Sequence, residues 1–330
     1  MYRYAVIIST VLLVSACSSW KAVVAMTRST EHFIELESEP RIRYEKGSSA
    51  LALKLAPHLD QAIQAVEAKQ YRAFADKVMV FVPASIGSFA SYCGSRFPAA
   101  CVVGSRLFIS PRLLNAQARI AKILTHELSH LQLSQSLGRW AYQRNLPSWF
   151  VEGLAVYVSG GGGAEKVSES EAIRAIIAGR AIVPTGSGSL LFQKTASSFG
   201  LKPHMFYRQS ALYVAWLHRL DAVKFKQLIL LLHKRHPLDA ALKASYGFDV
   251  ATGWARFTAG LRAPAARGST RGREGSPGRL PKRHRPAAMR GDDGADQRLI
   301  ILPMHSASFS GVQESISMPV LRSFFAVERQ

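Results

Sequence analysis

The stretch Thr125-His126-Glu127-Leu128-Ser129-His130-Leu131 sets two histidines four residues apart, with a glutamate beside the first. On a helix, residues at that spacing lie one above the other, so both imidazoles can reach a single cation. Glu127 then stands beside the ion, where a carboxylate can take the proton of a bound water. Further along, Pro147-Ser148-Trp149-Phe150-Val151-Glu152-Gly153-Leu154-Ala155 supplies Glu152, 22 residues beyond His130. Two imidazoles, one carboxylate and a water suit the tetrahedral preference of zinc. Zinc so held acidifies its water and polarises a carbonyl. The plain alternative for Glu152 is a solvated carboxylate on a helix surface. Trp149 and Phe150 read as core anchors rather than substrate contacts.

The elements that must position these groups are legible from periodicity. Ile120, Leu124, Leu128 and Leu131 form an apolar stripe on a helix expected from about Asn115 to Ser136. His126 and His130 lie at the edge of that stripe, with backing on one side and room for a cleft on the other. Gly138 to Asn145 reads as a connection, and a second helix starts at Leu146-Pro147-Ser148 and ends in a flexible run, Gly160 to Gly163. Upstream, Ser48 to Tyr71 is helical, with Pro57 marking either a kink or a break. Lys77 to Val82 reads as a strand, as do Cys101 to Val103 and Arg106 to Ile109 around a Gly104-Ser105 turn. Ala84 to Ser91 reads as a short helix. So do Glu169 to Ala178, Met205 to Arg219, Ala222 to His233, Leu238 to Tyr246 and Val250 to Leu261.

The segment Leu124 to Leu131, together with Trp149-Phe150-Val151-Glu152-Gly153-Leu154-Ala155, resembles the gluzincin zinc metallopeptidases, and most closely their compact peptidase MA-like group. The resemblance spans Ala50 to Gly260 and is more specific for the superfamily than for any substrate. It implies an α+β, zincin-like fold. A small mixed sheet packs against the active helix, and a mainly helical C-terminal subdomain follows. It also implies Zn2+ on His126, His130 and Glu152, with Glu127 as general base. An edge strand, from Leu107 to Ser110 or Lys77 to Val82, lines the cleft and pairs with a peptide. Such enzymes often support a histidine with Asp or Asn one turn beyond the third ligand. Ala155 and Val156 stand there, so another group must orient the imidazoles. A tyrosine or histidine commonly stabilises the oxyanion. Tyr207 is the candidate, against a plain reading as a core or rim tyrosine, with His204 and Arg208 as weaker alternatives.

The chain has 330 residues, room for one large or two modest domains. Residues 1–16 read as an export signal, too short in its apolar part to span a bilayer. Val14-Ser15-Ala16-Cys17 resembles the lipobox of bacterial lipoproteins, which implies a lipidated Cys17, a tether over 17–29 and an outer membrane location facing the periplasm. A cleaved signal with a chance cysteine is the alternative. Cys93 and Cys101 then remain as an even pair, either bonded in an oxidising compartment or free in the core. Their short loop would stabilise by roughly 3 kcal/mol at most. The body is expected over 30–261. Residues 262–298, rich in Arg, Gly and Pro, read as disordered, and 299–330 as a poorly defined tail.

Net charge is +20. The arginines crowd residues 262–298, and no helix of the body carries such density. A nucleic-acid partner is therefore not expected, and an anionic membrane or envelope polymer fits better. The leading expectation is an envelope-tethered zinc hydrolase acting on a peptide or protein substrate. It has no amine-binding motif, which favours an endopeptidase. A zinc-stabilised scaffold that cuts nothing and a peptidase for cell-wall peptide crosslinks are the other readings.

Overall fold

The computed structural model describes residues 27–190 and 193–262. The leader, Cys17, nearly all of the expected tether and the segments 263–298 and 299–330 lie outside the described residues. Five strands make one sheet: β1 (Ile34–Leu36), β2 (Glu39–Tyr44), β3 (Met79–Val82), β4 (Ala100–Val103) and β5 (Arg106–Ile109). Their order across the sheet is β1-β2-β3-β5-β4. The outer pairs are antiparallel and the two inner pairs parallel, so the sheet is mixed. The chain is α+β, and helices outweigh strands.

Between β2 and β3 runs α1 (Ser49–Gln70), and between β3 and β4 runs α2 (Ile86–Cys93). Two short 3-10 turns then lead into α3 (Ile120–Asn145) and α4 (Ser148–Val158). Five further helices and helical turns follow. The helices are α5 (Glu169–Ile177), α6 (Pro203–Leu220), α7 (Ala222–His233), α8 (Leu238–Tyr246) and α9 (Val250–Arg262). The strands obey a period of two that sorts their side chains between two cores. Val80, Val82, Leu107 and Ile109 face the main core with α1 and α3. Phe81, Phe108 and Val103 face a smaller cluster closed by Phe33, Phe89 and Tyr92. A Cys93–Cys101 disulfide crosses from α2 to β4 inside that second cluster.

Four expectations change. First, α1 runs unbroken through Pro57, because that residue and exposed Leu53, four before it, lie on the solvent side. Second, β3 and β5 are interior strands, so neither Lys77 to Val82 nor Leu107 to Ser110 can be an edge; the edges are β1 and β4. Third, the segment after Gly138 is helical rather than a bare connection. Gly138 itself takes φ 69 and ψ 157, which breaks α3 into two helical pieces. Fourth, Gly161 and Gly162 are buried, not part of a flexible run. The charge also sits elsewhere than expected: counted over residues 27–262, the described body holds about two thirds of the positive excess. Among the described residues, no helix is long and apolar enough to cross a membrane.

Candidate metal centre

Helix α3 presents the first two candidate ligands. Its buried face, Ile120, Ile123, Leu124, Leu128 and Leu131, docks on α1 and the sheet. That docking fixes the rotation of the helix and so the direction of His126 and His130. Helix α4 brings the third. Trp149 anchors its first turn, stacking on Tyr213 at 5.2 Å and donating its indole N–H to the Thr185 carbonyl. Lys69 of α1 donates to the Val158 carbonyl at its other end, where a cation also meets the negative pole of the helix. Gly153 gives α4 its closest neighbour: a Cβ there would stand 2.7 Å from the Ser210 backbone of α6. The Glu-Gly pair therefore lets two helices approach at the very turn that carries Glu152.

The donor atoms converge. His126 Nε2 and His130 Nε2 are 3.1 Å apart. Glu152 Oε2 lies 3.4 Å from the first and 3.6 Å from the second. In a tetrahedron with zinc bonds of about 2.0–2.1 Å, ligand atoms stand about 3.3 Å from one another. The triangle matches that spacing on all three edges. Among the described residues, no other group of three His, Cys, Asp or Glu side chains could hold a metal ion.

Each imidazole has a second partner. His126 Nδ1 donates to the Gly162 carbonyl at 2.9 Å, which leaves the lone pair of Nε2 facing the other donors. The Tyr142 hydroxyl lies 3.5 Å from His130 Nδ1. These two groups face the imidazole nitrogens turned away from Glu152, in a chain with Ala155 and Val156 one turn beyond it. Sequence reasoning found neither. Gly162 contributes a backbone atom, which no side-chain pattern announces, and Tyr142 lies beyond the Gly138 break.

Electrostatics separate the two glutamates. Burial raises the Glu127 carboxyl, against the pull of His126 and His130, with Glu152 adding to the rise. Burial acts on Glu152 in the same sense, yet His130 and His126 beside it hold its carboxyl down to about 2. The histidines thus favour the anion at Glu152, while burial makes Glu127 the carboxylate readier to hold a proton. Burial, then the charges of Glu152 and Glu127, raise the phenols of Tyr142 and Tyr207, so both stay protonated.

Tyr207 sits at the site on α6, its ring centroid 6.3 Å from that of His126. Its neighbours on α6 are engaged elsewhere. Arg208 donates to the Val167 and Ala164 carbonyls at 2.9 and 3.1 Å. Buried Gln209 accepts from Ile182 N and donates to the Arg180 carbonyl. His204 Nδ1 lies 3.9 Å from Glu165 Oε2. Of the three candidates for an oxyanion donor, the structure brings Tyr207 next to the His126 ring and commits Arg208 to loop carbonyls.

Neither a known protein-family model nor a curated protein matches the chain. Solved structures resemble it in part, two of them versions of one enzyme. Yeast LTA4 hydrolase in complex with bestatin aligns at 15% identity with a TM-score of 0.39, over 65% of this chain and 36% of that one. Native leukotriene A4 hydrolase from Saccharomyces cerevisiae aligns at 14% identity with a TM-score of 0.41, over 66% and 36%. The chain thus spans little more than a third of the length of either. A likeness of that degree carries no argument about chemistry, which rests on the geometry above.

Proposed function

We propose that this chain is a zinc-dependent hydrolase cleaving peptide bonds by water attack. The observation that carries the reading is the donor triangle of His126, His130 and Glu152, with Glu127 half-buried and next to His126 in the chain. Zinc held there supplies a water of lowered pKa and a Lewis acid for the scissile carbonyl. Glu127 accepts the proton of the attacking water and delivers it to the leaving amine, a shuttle suited to a carboxyl whose pKa is raised. Glu152, held ionised by its histidine neighbours, would offset one of the two positive charges of the ion. Tyr207, protonated and close to His126, is the proposed donor to the developing oxyanion.

Strand β4 offers the substrate a place to lie. The two-residue turn at Gly104-Ser105 pairs Val103 with Arg106, and Ser110 N donates to the Ala99 carbonyl. Residues 99, 101 and 103 therefore bond inward to β5, and Ala100 and Val102 aim their N–H and C=O groups away from the sheet. An extended peptide pairing with those groups gains main-chain hydrogen bonds without regard to sequence.

A setting in the bacterial envelope, with Cys17 lipidated, is part of the same proposal and rests on the leader alone. Metabolic labelling with a radioactive fatty acid tests it: label lost in Cys17→Ser supports the anchor, and label retained excludes it. The activity is tested by metal analysis of the purified chain and a broad cleavage screen, including cell-wall peptides. Wild type and Glu127→Gln should bind zinc alike, with turnover falling about 10²–10⁴-fold in the variant. Stoichiometric zinc with no cleavage of any peptide would favour a scaffold instead.

A further inference from the structure

The turn that carries Gly162 is held from two sides. Beneath it lies α3: a Cβ on Gly162 would stand 2.5 Å from the Lys122 carbonyl, and one on Gly163 would stand 3.1 Å from His126 Cε1. Above it lies Arg208, whose guanidinium would be 3.6 Å from a Cβ on Gly161. Within the turn, Gly161 N donates to the Val156 carbonyl at 2.9 Å and Gly162 N to Ser159 Oγ at 3.0 Å. Ala164 N donates back to the Gly161 carbonyl at 3.1 Å. The chain from 161 to 167 has no regular helix or strand to stiffen it. Its position is set by these bonds, by Val167 N donating to the Ala164 carbonyl, by the Arg119–Glu165 ion pair at 3.3 Å, and by the two bonds that Arg208 makes to the Ala164 and Val167 carbonyls.

We propose that Arg208 is a positioning residue for the metal centre: by clamping two carbonyls of this turn, it sets the Gly162 carbonyl that orients His126. The inference rests on the zinc reading of the site. A planar guanidinium suits the task because its donors diverge in fixed directions and span two carbonyls at once. An ammonium group on a flexible stem is a point donor and cannot hold both in the same geometry. Loss of the clamp frees the turn to move away from α3. The His126 Nδ1–H bond then lengthens, and the imidazole loses its fixed tautomer and tilt. Metal affinity falls as a result, although Arg208 touches no ligand.

The experiment uses the full chain with zinc, and compares wild type, Arg208→Ala and Arg208→Lys. Zinc dissociation constants come from chelator competition, and the His126 Nδ1–H signal from proton NMR of the zinc-bound protein. Both variants should bind zinc about tenfold or more weakly, with the His126 proton exchanging faster. Added guanidinium ion should restore part of the affinity of Arg208→Ala and none of that of His126→Ala. If Arg208→Ala fails to fold, Arg208→Lys decides. An Arg208→Lys affinity and His126 signal equal to wild type overturn the proposal and leave the zinc reading intact. A wild type that binds no zinc overturns both.

Discussion

The two histidines look equivalent in the sequence and are supported quite differently. His126 rests on a backbone carbonyl at 2.9 Å, presented by a buried turn that is pinned to α3 and to α6. His130 faces a phenol at 3.5 Å, carried by a helical piece that follows the break at Gly138. A carbonyl wedged in packed backbone has little freedom, and a hydrogen bond at the long end of the range contributes little. One imidazole is therefore held by construction and the other chiefly by its own helix and by Glu152. Symmetry of motif does not bring symmetry of support.

Three substitutions sharpen or break that contrast. Gly163→Ala has the largest expected effect. Its φ of 84 is one that alanine rarely adopts, and the new Cβ presses on the His126 ring. Zinc affinity should fall about 10–100-fold by chelator competition. Unchanged affinity would mean that the turn yields freely and His126 is not tightly held. Gly138→Ala comes next. With φ 69 and ψ 157 it occupies a region nearly restricted to glycine, so the change should cost about 1–3 kcal/mol of stability. The thermal midpoint of the metal-free protein should drop about 2–4 °C per kcal/mol, with a smaller loss of zinc affinity than Gly163→Ala. Tyr142→Phe is the mildest. It keeps the ring and removes the hydroxyl near His130, and should weaken zinc binding no more than a few-fold. A loss as large as that of Gly163→Ala would show the two supports to be equal.

Much of this was legible from local pattern. The apolar stripe of α3 located the histidines, the Trp-x-x-Glu-Gly stretch located Glu152, and the cysteine spacing fitted the bond now seen between Cys93 and Cys101. Each of these signals lies within one element or one short loop. The order of the strands is different in kind. Nothing local in Lys77 to Val82 says whether the strand is inner or outer, and only the long-range parallel pairing with β2 and β5 decides it. The glycine run differs from its expected mobility for a related reason. Glycine marks mobile chain and tightly packed chain alike, and the difference lies in neighbours such as Lys122 and Arg208 that are distant in sequence.

Helix α6 spends four consecutive residues on four separate tasks. Tyr207 faces the site, Arg208 the glycine turn, Gln209 the segment at Arg180 to Ile182, and Ser210 the backbone beside Glu152. Successive side chains on a helix are about 100° apart, so these four point around its whole circumference. Such a helix has no spare face and no tolerable neighbouring phase. Inserting or deleting one residue upstream within it would turn every one of these side chains toward the wrong partner at once. Conservative exchange can adjust this rod, but slippage would dismantle it.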